Sequence, residues 1–237
     1  MTTPQHNLAV IKVVGIGGGG TNAIKRMIGE GMTGVDFIAL NTDEQDLLDC
    51  DAPTKLDIGQ STTRGLGAGA DPAVGERAAR DNSQDIEDVL TGADMVFVTA
   101  GEGGGTGTGG APIVAGIARG LGALTVAVVT KPFSFEGKRR ADNAEHGIEK
   151  LRDACDTLIT IPNDRLLQQE DKTISINEAF SKADEVLFNG VQGITDLIST
   201  PGLINVDFAD VKSVLADSLI QNSYPTRLRR RANAGIC

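Results

Sequence analysis

The residues with the clearest chemical meaning form the run Gly-Gly-Gly-Thr-Gly-Thr-Gly-Gly at positions 103–110. An apolar, strand-type run at 95–99 precedes it, and a helix-type run with a proline near its first turn follows. Glycines let the backbone approach an anion closely, and the positive end of a helix dipole stabilises its charge. The pattern therefore predicts a phosphate-binding turn rather than a flexible linker, although it lacks the lysine of a P-loop.

Two further glycine-rich segments support this interpretation. Residues 15–22 contain the spacing G-x-G-x-x-G between a predicted strand and a predicted helix, and residues 64–71 read RGLGAGAD. The first segment alone fits an NAD-dependent dehydrogenase, with Asp36 and Asp43 near the distance at which such a fold places its ribose acid. Three glycine loops around one anion instead predict a nucleoside triphosphate.

Polar residues after two later strands are candidates for sugar and base recognition. Glu136 can accept hydrogen bonds from ribose hydroxyls, and Arg140 can pair with sugar or phosphate oxygens. A charged surface loop explains this pair equally well. Asn163 offers an amide to a purine edge, and an ordinary Asn-Asp turn is its alternative.

Phe180 and Asp184 lie four positions apart on a predicted helix and therefore share one of its faces. An aromatic ring can stack on a base while a carboxylate accepts two N–H bonds. Guanine presents such a donor pair at N1 and N2, whereas adenine does not. The pair favours GTP over ATP, with a core phenylalanine beside a solvated aspartate as the alternative.

A last polar cluster consists of Asn205, Asp207 and Asp210, after the Pro-Gly pair at 201–202. Its carboxylates can polarise a water for attack on a phosphate, or they can cap a helix beginning at Val211. Along a helix of ~26 residues the cluster lies roughly 35 Å from Asp184. One molecule cannot bring both to one nucleotide, so the sequence predicts head-to-tail association of copies.

The elements that must position these residues alternate along the chain. Strands are predicted at residues 8–15, 35–40, 95–99, 124–130 and 157–161, and helices at 22–30, 72–90, 112–121, 138–153 and 174–199. Ser175 and Glu178 fit a capping box at the start of the last helix. The pattern predicts an α/β fold with a Rossmann-like, mostly parallel sheet, helices on both faces and a long central helix.

Composition narrows the functional classes. The net charge of −10 over 237 residues disfavours a nucleic-acid partner, and 3% aromatic content predicts an aliphatic core. Three cysteines at no metal-like spacing suit a reducing compartment, and we expect no metal site built by protein ligands alone. No apolar stretch approaches the ~20 residues of a membrane span, so we expect a cytoplasmic protein without direct membrane insertion.

The run at 103–110 together with Asn-Val-Asp-Phe-Ala-Asp at 205–210 resembles the FtsZ family of bacterial cell-division GTPases, which are relatives of tubulin. The chain is most similar to actinobacterial members, from about Leu8 to about Leu215. The resemblance implies GTP or GDP as ligand with Mg²⁺, a head-to-tail polymer of the protein with itself, GTP hydrolysis at the subunit contacts, and a place at the division site.

The resemblance also implies roles for individual residues. The first nucleotide loop corresponds to Gly18, Gly19, Gly20, Thr21 and Asn22, and the loop beside the γ-phosphate to Ala68, Gly69 and Ala70. The main phosphate loop corresponds to Gly105, Thr106, Gly107, Thr108 and Gly109. The ribose contacts correspond to Glu136 and Arg140, and the guanine site to Asn163, Phe180 and Asp184. The loop that completes hydrolysis in the neighbouring subunit corresponds to Asp207 and Asp210, with Asn205 beside them.

The expected organisation is a GTP-binding domain at 1–172, the long central helix at 173–200, the catalytic loop and next helix start at 201–215, and a basic, disordered tail at 216–237. We expect the family's second α/β domain and tail peptide to be absent. The first hypothesis is a self-assembling GTPase, with other division proteins as partners where the absent parts are not required. The alternative is a fragment that binds GTP, does not polymerise productively and caps filaments. A dehydrogenase is the less favoured third.

Overall fold

In the part of the chain that the computed structural model describes, residues 9–167 and 174–199, six strands form one parallel sheet. The strands are β1 (Ile11–Ile16), β2 (Asp36–Asn41), β3 (Thr54–Asp57), β4 (Met95–Gly101), β5 (Leu124–Lys131) and β6 (Thr157–Pro162). Their order in the sheet is β3-β2-β1-β4-β5-β6. Connections leave β1 and β4 toward opposite edges of the sheet, so a crevice forms beyond the carboxyl ends of these two strands.

Helices cover both faces of this sheet. They are α1 (Gly17–Gly29), α2 (Glu44–Leu48), α3 (Pro72–Asp81), α4 (Ser83–Leu90), α5 (Thr106–Gly120), α6 (Lys138–Ala154), α7 (Asp164–Leu167) and α8 (Ile176–Ser199), with a 3-10 turn at Ser134–Glu136. Alternate residues of each strand enter the two cores: Val14 and Val98 face α3 to α6, whereas Val13 and Phe97 face α1 and α8. The predicted α/β class is therefore confirmed.

The long helix begins where the sequence indicated. The Glu178 carboxylate accepts the Ser175 N–H at 2.7 Å, and the Ser175 hydroxyl accepts the Glu178 N–H at 3.3 Å. These reciprocal bonds satisfy two N–H groups at the helix start. Among the described helices, none is both long and apolar enough to cross a membrane. The expectations for Asn205, Asp207, Asp210, the boundary near 172 and the tail at 216–237 fall outside the described residues.

Some predicted element boundaries were wrong. The strand β3 and the helix α2 were missed because both are short and β3 is only partly buried at the sheet edge. The single helix predicted at 72–90 is two helices, α3 and α4. They are separated at Asn82, whose side-chain amide donates to the Ala78 carbonyl at 2.8 Å and to the Ile58 carbonyl at 3.1 Å. These bonds hold a non-helical backbone at Asn82.

Two of the glycine runs contain the first turns of helices and are not only loops. Helix α1 begins at Gly17 rather than at 22, and α5 begins at Thr106 rather than at 112. Pro112 consequently lies inside α5 and not in its first turn. Glycine has a low helix propensity, which hid these starts in the sequence; the helices form there because the glycines permit close packing.

Gly109 shows this packing most clearly. A Cβ at Gly109 would collide with the Pro72 carbonyl oxygen and would lie 2.5 Å from the Glu76 nitrogen. Helix α5 therefore meets α3 backbone against backbone, which fixes the loop before α3 beside the turn before α5. By contrast, a Cβ at Gly116, on the exposed side of the same helix, would meet no atom within 4 Å.

We expect Gly109→Ala to lower the free energy of unfolding by about 1–3 kcal/mol, because the added methyl group overpacks the contact between α3 and α5. Gly116→Ala should raise it by about 0.5–1 kcal/mol, since alanine restricts the unfolded chain without a clash. Urea denaturation of the nucleotide-free proteins measures both values. Similar changes in the two variants would contradict the packing role of Gly109.

Candidate functional site

A cavity of about 480 Å³ opens beyond the carboxyl ends of the central strands. Most of the predicted binding residues line it: Gly18, Gly19, Asn22, Ala68, Ala70, Gly105, Thr106, Gly107, Glu136, Arg140, Asn163, Phe180 and Asp184. They come from the three glycine-rich segments, from the loops after β5 and β6, and from α8. The sheet order thus brings together segments that lie far apart in the sequence.

The other predicted binding residues do not line the cavity: Gly20, Thr21, Gly69, Thr108 and Gly109. Two of them, Thr21 and Thr108, make hydrogen bonds that support the cavity wall. The buried Thr21 hydroxyl donates to the Gly18 carbonyl at 3.0 Å, within α1. The buried Thr108 hydroxyl accepts the Gly103 N–H at 2.8 Å and so closes the turn before α5.

The first turns of α1 and α5 converge at one end of the cavity. A Cβ at Gly17, whose φ is +71°, would lie 2.8 Å from the Gly107 nitrogen, so only glycine permits this approach. Neither helix start has a side-chain cap or an acidic residue in its first turn. Uncapped N–H groups and two positive dipole ends therefore point into the same space, which is an arrangement that binds anions.

The end of β2 and the segment after it contribute polar residues, of which sequence reasoning had considered only Asp43. Asn41 and Asp46 line the cavity, and the Asn41 amide donates to the Asp46 carboxylate at 3.2 Å. Asp43 also lines it and caps α2 by accepting the Gln45 N–H at 3.0 Å. Asp36, by contrast, lies exposed at the opposite end of β2, so the suggestion that it binds ribose there was wrong.

Acceptor groups and an aromatic cluster lie at the other end of the cavity. Asn163 is 4% exposed, and its Oδ1 has no hydrogen-bond partner. Burial raises the pKa of Asp184 to about 6, with Arg26 and Lys25 acting in the opposite direction. The ring of Phe180 meets the ring of Phe133 edge to face, with 5.4 Å between centroids. This end can accept hydrogen bonds and stack on a flat ring.

Glu136 and Arg140 form an ion pair at 2.6 Å where the loop after β5 enters α6. The other carboxylate oxygen of Glu136 accepts the Phe133 N–H at 2.9 Å. The loop therefore holds Glu136 in place, while the half-exposed Arg140 keeps further N–H groups to offer a ligand.

Glu102, directly after β4, is a functional candidate that sequence reasoning missed. It is 4% exposed, and neither carboxylate oxygen has a hydrogen-bond partner. Burial raises its pKa to about 8, and the nearby Thr108 hydroxyl opposes this shift more weakly. A Cβ at Gly147 would collide with one of its oxygens, so the side chain lies where α5 and α6 meet. At neutral pH this carboxyl is largely protonated.

We expect Glu102→Gln to stabilise the protein more at pH 8 than at pH 5. The folded state holds the Glu102 proton up to about pH 8, whereas the unfolded chain releases it near its ordinary pKa of 4.5. The wild-type chain therefore loses stability as pH rises between these values, and the glutamine variant does not. The stability difference between the variants should be about 3–4 kcal/mol larger at pH 8.

Urea denaturation of both proteins at the two pH values measures this difference. Asp184 titrates in both proteins, so its contribution cancels. A stability difference that stays constant with pH would show that Glu102 is not held protonated by burial.

Comparison with known proteins agrees with this geometry. The Tubulin/FtsZ family, GTPase domain, matches residues 10–171. An empty FtsZ dimer from M. jannaschii is 50% identical with a TM-score of 0.86, over 90% of this chain and 62% of that chain. The W319Y mutant of the same FtsZ has the same identity, TM-score and coverage of this chain, over 64% of its own length. A GDP-bound CetZ1 monomer from Haloferax volcanii shares the fold at 24% identity and a TM-score of 0.73, over 87% of this chain and 64% of that one.

This chain thus spans somewhat less than two thirds of the length of the FtsZ chains that it matches. The dehydrogenase interpretation of residues 15–20 finds no support in these similarities. The family match, the parallel sheet and the cavity between two uncapped helix starts agree with one another. The chain therefore belongs to the Tubulin/FtsZ family, and residues 10–171 match the GTPase domain of that family.

Proposed function

We propose that this chain binds GTP in the cavity at the strand ends and hydrolyses it when a second copy docks head to tail. The observation that carries this proposal is the pair of acceptors at the aromatic end, the unpartnered Asn163 Oδ1 and the Asp184 carboxyl. An uncapped anion site lies at the opposite end of the same cavity. A guanine base and a phosphate chain fit these two ends.

The acceptors favour guanine over adenine. The N1 and N2 groups of guanine can donate two parallel hydrogen bonds to an ionised Asp184, whereas adenine carries no such pair. A buried acceptor without a partner costs about 1–3 kcal/mol, so a purine donor that reaches Asn163 recovers this free energy. Donation to Asp184 favours its ionised form, so bound guanine should lower the pKa from about 6.

Magnesium is part of this proposal. Among the described residues no group of three or more acidic, histidine or cysteine side chains could hold a metal ion. Mg²⁺ is commonly bound through one or two carboxylates together with substrate phosphates. Asp43 and Asp46, which both line the cavity, fit this role at the phosphate end. The ion would neutralise phosphate charge during hydrolysis.

The proposed polymer places the loop with Asn205, Asp207 and Asp210 of one copy over the nucleotide of the next. The FtsZ dimer from M. jannaschii supports self-association as a property of a similar protein. We further propose the division site as the location, with other division proteins as partners. We also propose that the protein is bacterial and of the actinobacterial group, since the chain from about Leu8 to about Leu215 is most similar to members of that group.

We expect Asp184→Asn to weaken GTP binding by about 10- to 100-fold, because a charge-assisted pair of hydrogen bonds is replaced by a mismatched amide. The same variant should bind xanthosine triphosphate more tightly than the wild-type chain does, since xanthine offers an acceptor where guanine has its N2 donors. Isothermal titration with both nucleotides measures the two changes. Asp36→Asn, at the far end of β2, is the matched control and should bind both like the wild type. If Asp184→Asn bound both nucleotides more weakly by the same factor, direct contact between Asp184 and the base would be contradicted.

Catalysis between copies can be tested by complementation. Asp210→Ala should bind GTP without turnover, and Asp184→Ala should offer an intact loop without holding GTP. Each variant alone should hydrolyse GTP slowly, whereas an equimolar mixture should recover turnover because one copy supplies the nucleotide and its neighbour the acid.

Wild-type turnover per molecule should also rise with protein concentration, measured as phosphate release with sedimentation in parallel. Tight GTP binding with a low, flat turnover would favour the filament-capping alternative. A mixture no more active than its components would contradict hydrolysis between copies.

A further inference from the structure

We propose that Thr42 is a positioning residue that connects phosphate binding at α5 to the β3–α3 loop, residues 58–71. This inference rests on the proposed GTP site. Thr42 follows β2 and is fully buried, and its Oγ1 lies 2.6 Å from the Oγ1 of Thr106. Thr106 is the first residue of α5 and lines the cavity at its phosphate end. The two hydroxyls therefore join β2 directly to the phosphate-binding helix.

The backbone of Thr42 makes the second half of the connection. Its carbonyl oxygen accepts the Thr63 hydroxyl at 2.8 Å and the Gly67 N–H at 3.0 Å. Its own N–H donates to the Asn41 side chain at 2.8 Å. Thr42 thus uses its hydroxyl toward α5 and its carbonyl toward the β3–α3 loop.

The loop held in this way is conformationally strained. Arg64 and Ala70 adopt the left-handed backbone region, with φ values of +56° and +61°. Leu66, between them, is 83% exposed, so apolar packing does little to hold the loop's outer part. Strained residues persist only where surrounding contacts hold them. The two bonds to the Thr42 carbonyl are contacts of this kind.

Phosphate binding would act on the shared hydrogen bond. Either hydroxyl of the Thr42–Thr106 pair can be the donor while the cavity is empty. When Thr106 donates its hydrogen to a phosphate oxygen, only Thr42 can donate between them. Bound nucleotide thereby fixes the direction of this hydrogen bond, and the Thr42 residue that makes it also holds the β3–α3 loop through its carbonyl oxygen.

Trypsin cleavage after Arg64 is a direct readout, because Arg64 is exposed in the middle of this loop. In the wild-type chain, a saturating non-hydrolysable GTP analogue should slow cleavage of the Arg64–Gly65 bond by at least about fivefold, the low end of coupling between two sites. Mass spectrometry measures cleavage at this bond separately from cleavage at other sites. Thr42→Val, which keeps the shape and removes the hydroxyl, should lose a measurable part of this protection while nucleotide remains bound. The remaining protection comes from Ala68 and Ala70 of the same loop, which line the cavity themselves.

Two variants serve as controls. Thr42→Ser keeps the hydroxyl and should restore the protection. Thr195→Val removes a buried hydroxyl on α8 that donates only within its helix, to the Val191 carbonyl at 2.9 Å, and should behave like the wild type. Full protection of Arg64 in Thr42→Val, or no protection in a wild-type chain that binds the analogue, would overturn the inference.

Binding is measured separately, by the rise in melting temperature that the analogue causes in each variant. A wild-type chain without such a rise would refute the proposed GTP site itself, and this outcome is distinct from failure of the Thr42 connection. If Thr42→Val does not fold, Thr63→Val cuts the same connection on the loop side. It must then reduce the protection, and full protection would again overturn the inference.

Discussion

The site depends on backbone contacts that only glycine permits. At Gly17 and Gly109 a single added Cβ would press against another backbone segment, at Gly107 and at Pro72 respectively. These contacts bring the starts of α1 and α5 together and lay α3 across α5. An anion site made of N–H groups requires such convergence, because each helix start contributes only a few donors. The same glycines are therefore needed both for the close packing of the helices and for the anion site.

The charged side chains that line the cavity are mainly acidic, which fits an anion site made of N–H groups. Its described lining carries the acids Asp43, Asp46, Glu102, Glu136 and Asp184, whereas Arg140 is its one basic residue. Attraction for phosphate must then come from helix dipoles and N–H groups rather than from side-chain cations. This explains how a phosphate turn without the P-loop lysine can work. It also makes a divalent cation a useful companion of the phosphates beside so many carboxylates.

The sequence predicted the features that depend on local pattern. Alternating apolar runs indicated the parallel sheet, and glycine segments between strands and helices indicated the cavity wall. Sequence reasoning failed where the position of a residue depends on how the strands are arranged in the sheet. Asn41 and Asp46 reach the cavity because β2 lies beside β1, and Asp36 does not because strand direction places it at the far end. Glu102 gave no signal, since burial between α5 and α6 cannot be read from its neighbours in the chain.

The two ends of the cavity are held at a fixed separation by α8. Leu187 and Val191 are buried in the same core as Ile24 of α1, so the helix bearing Phe180 and Asp184 packs directly on the helix whose start lies at the anion-binding end. The ion pair between Arg26 and Glu185, at 3.5 Å, is partly exposed to solvent and adds little stability. Apolar burial therefore sets the distance between the aromatic end and the anion-binding end of the cavity. The β3–α3 loop contains strained residues and is held mainly by hydrogen bonds, so movement is easier there than between α1 and α8.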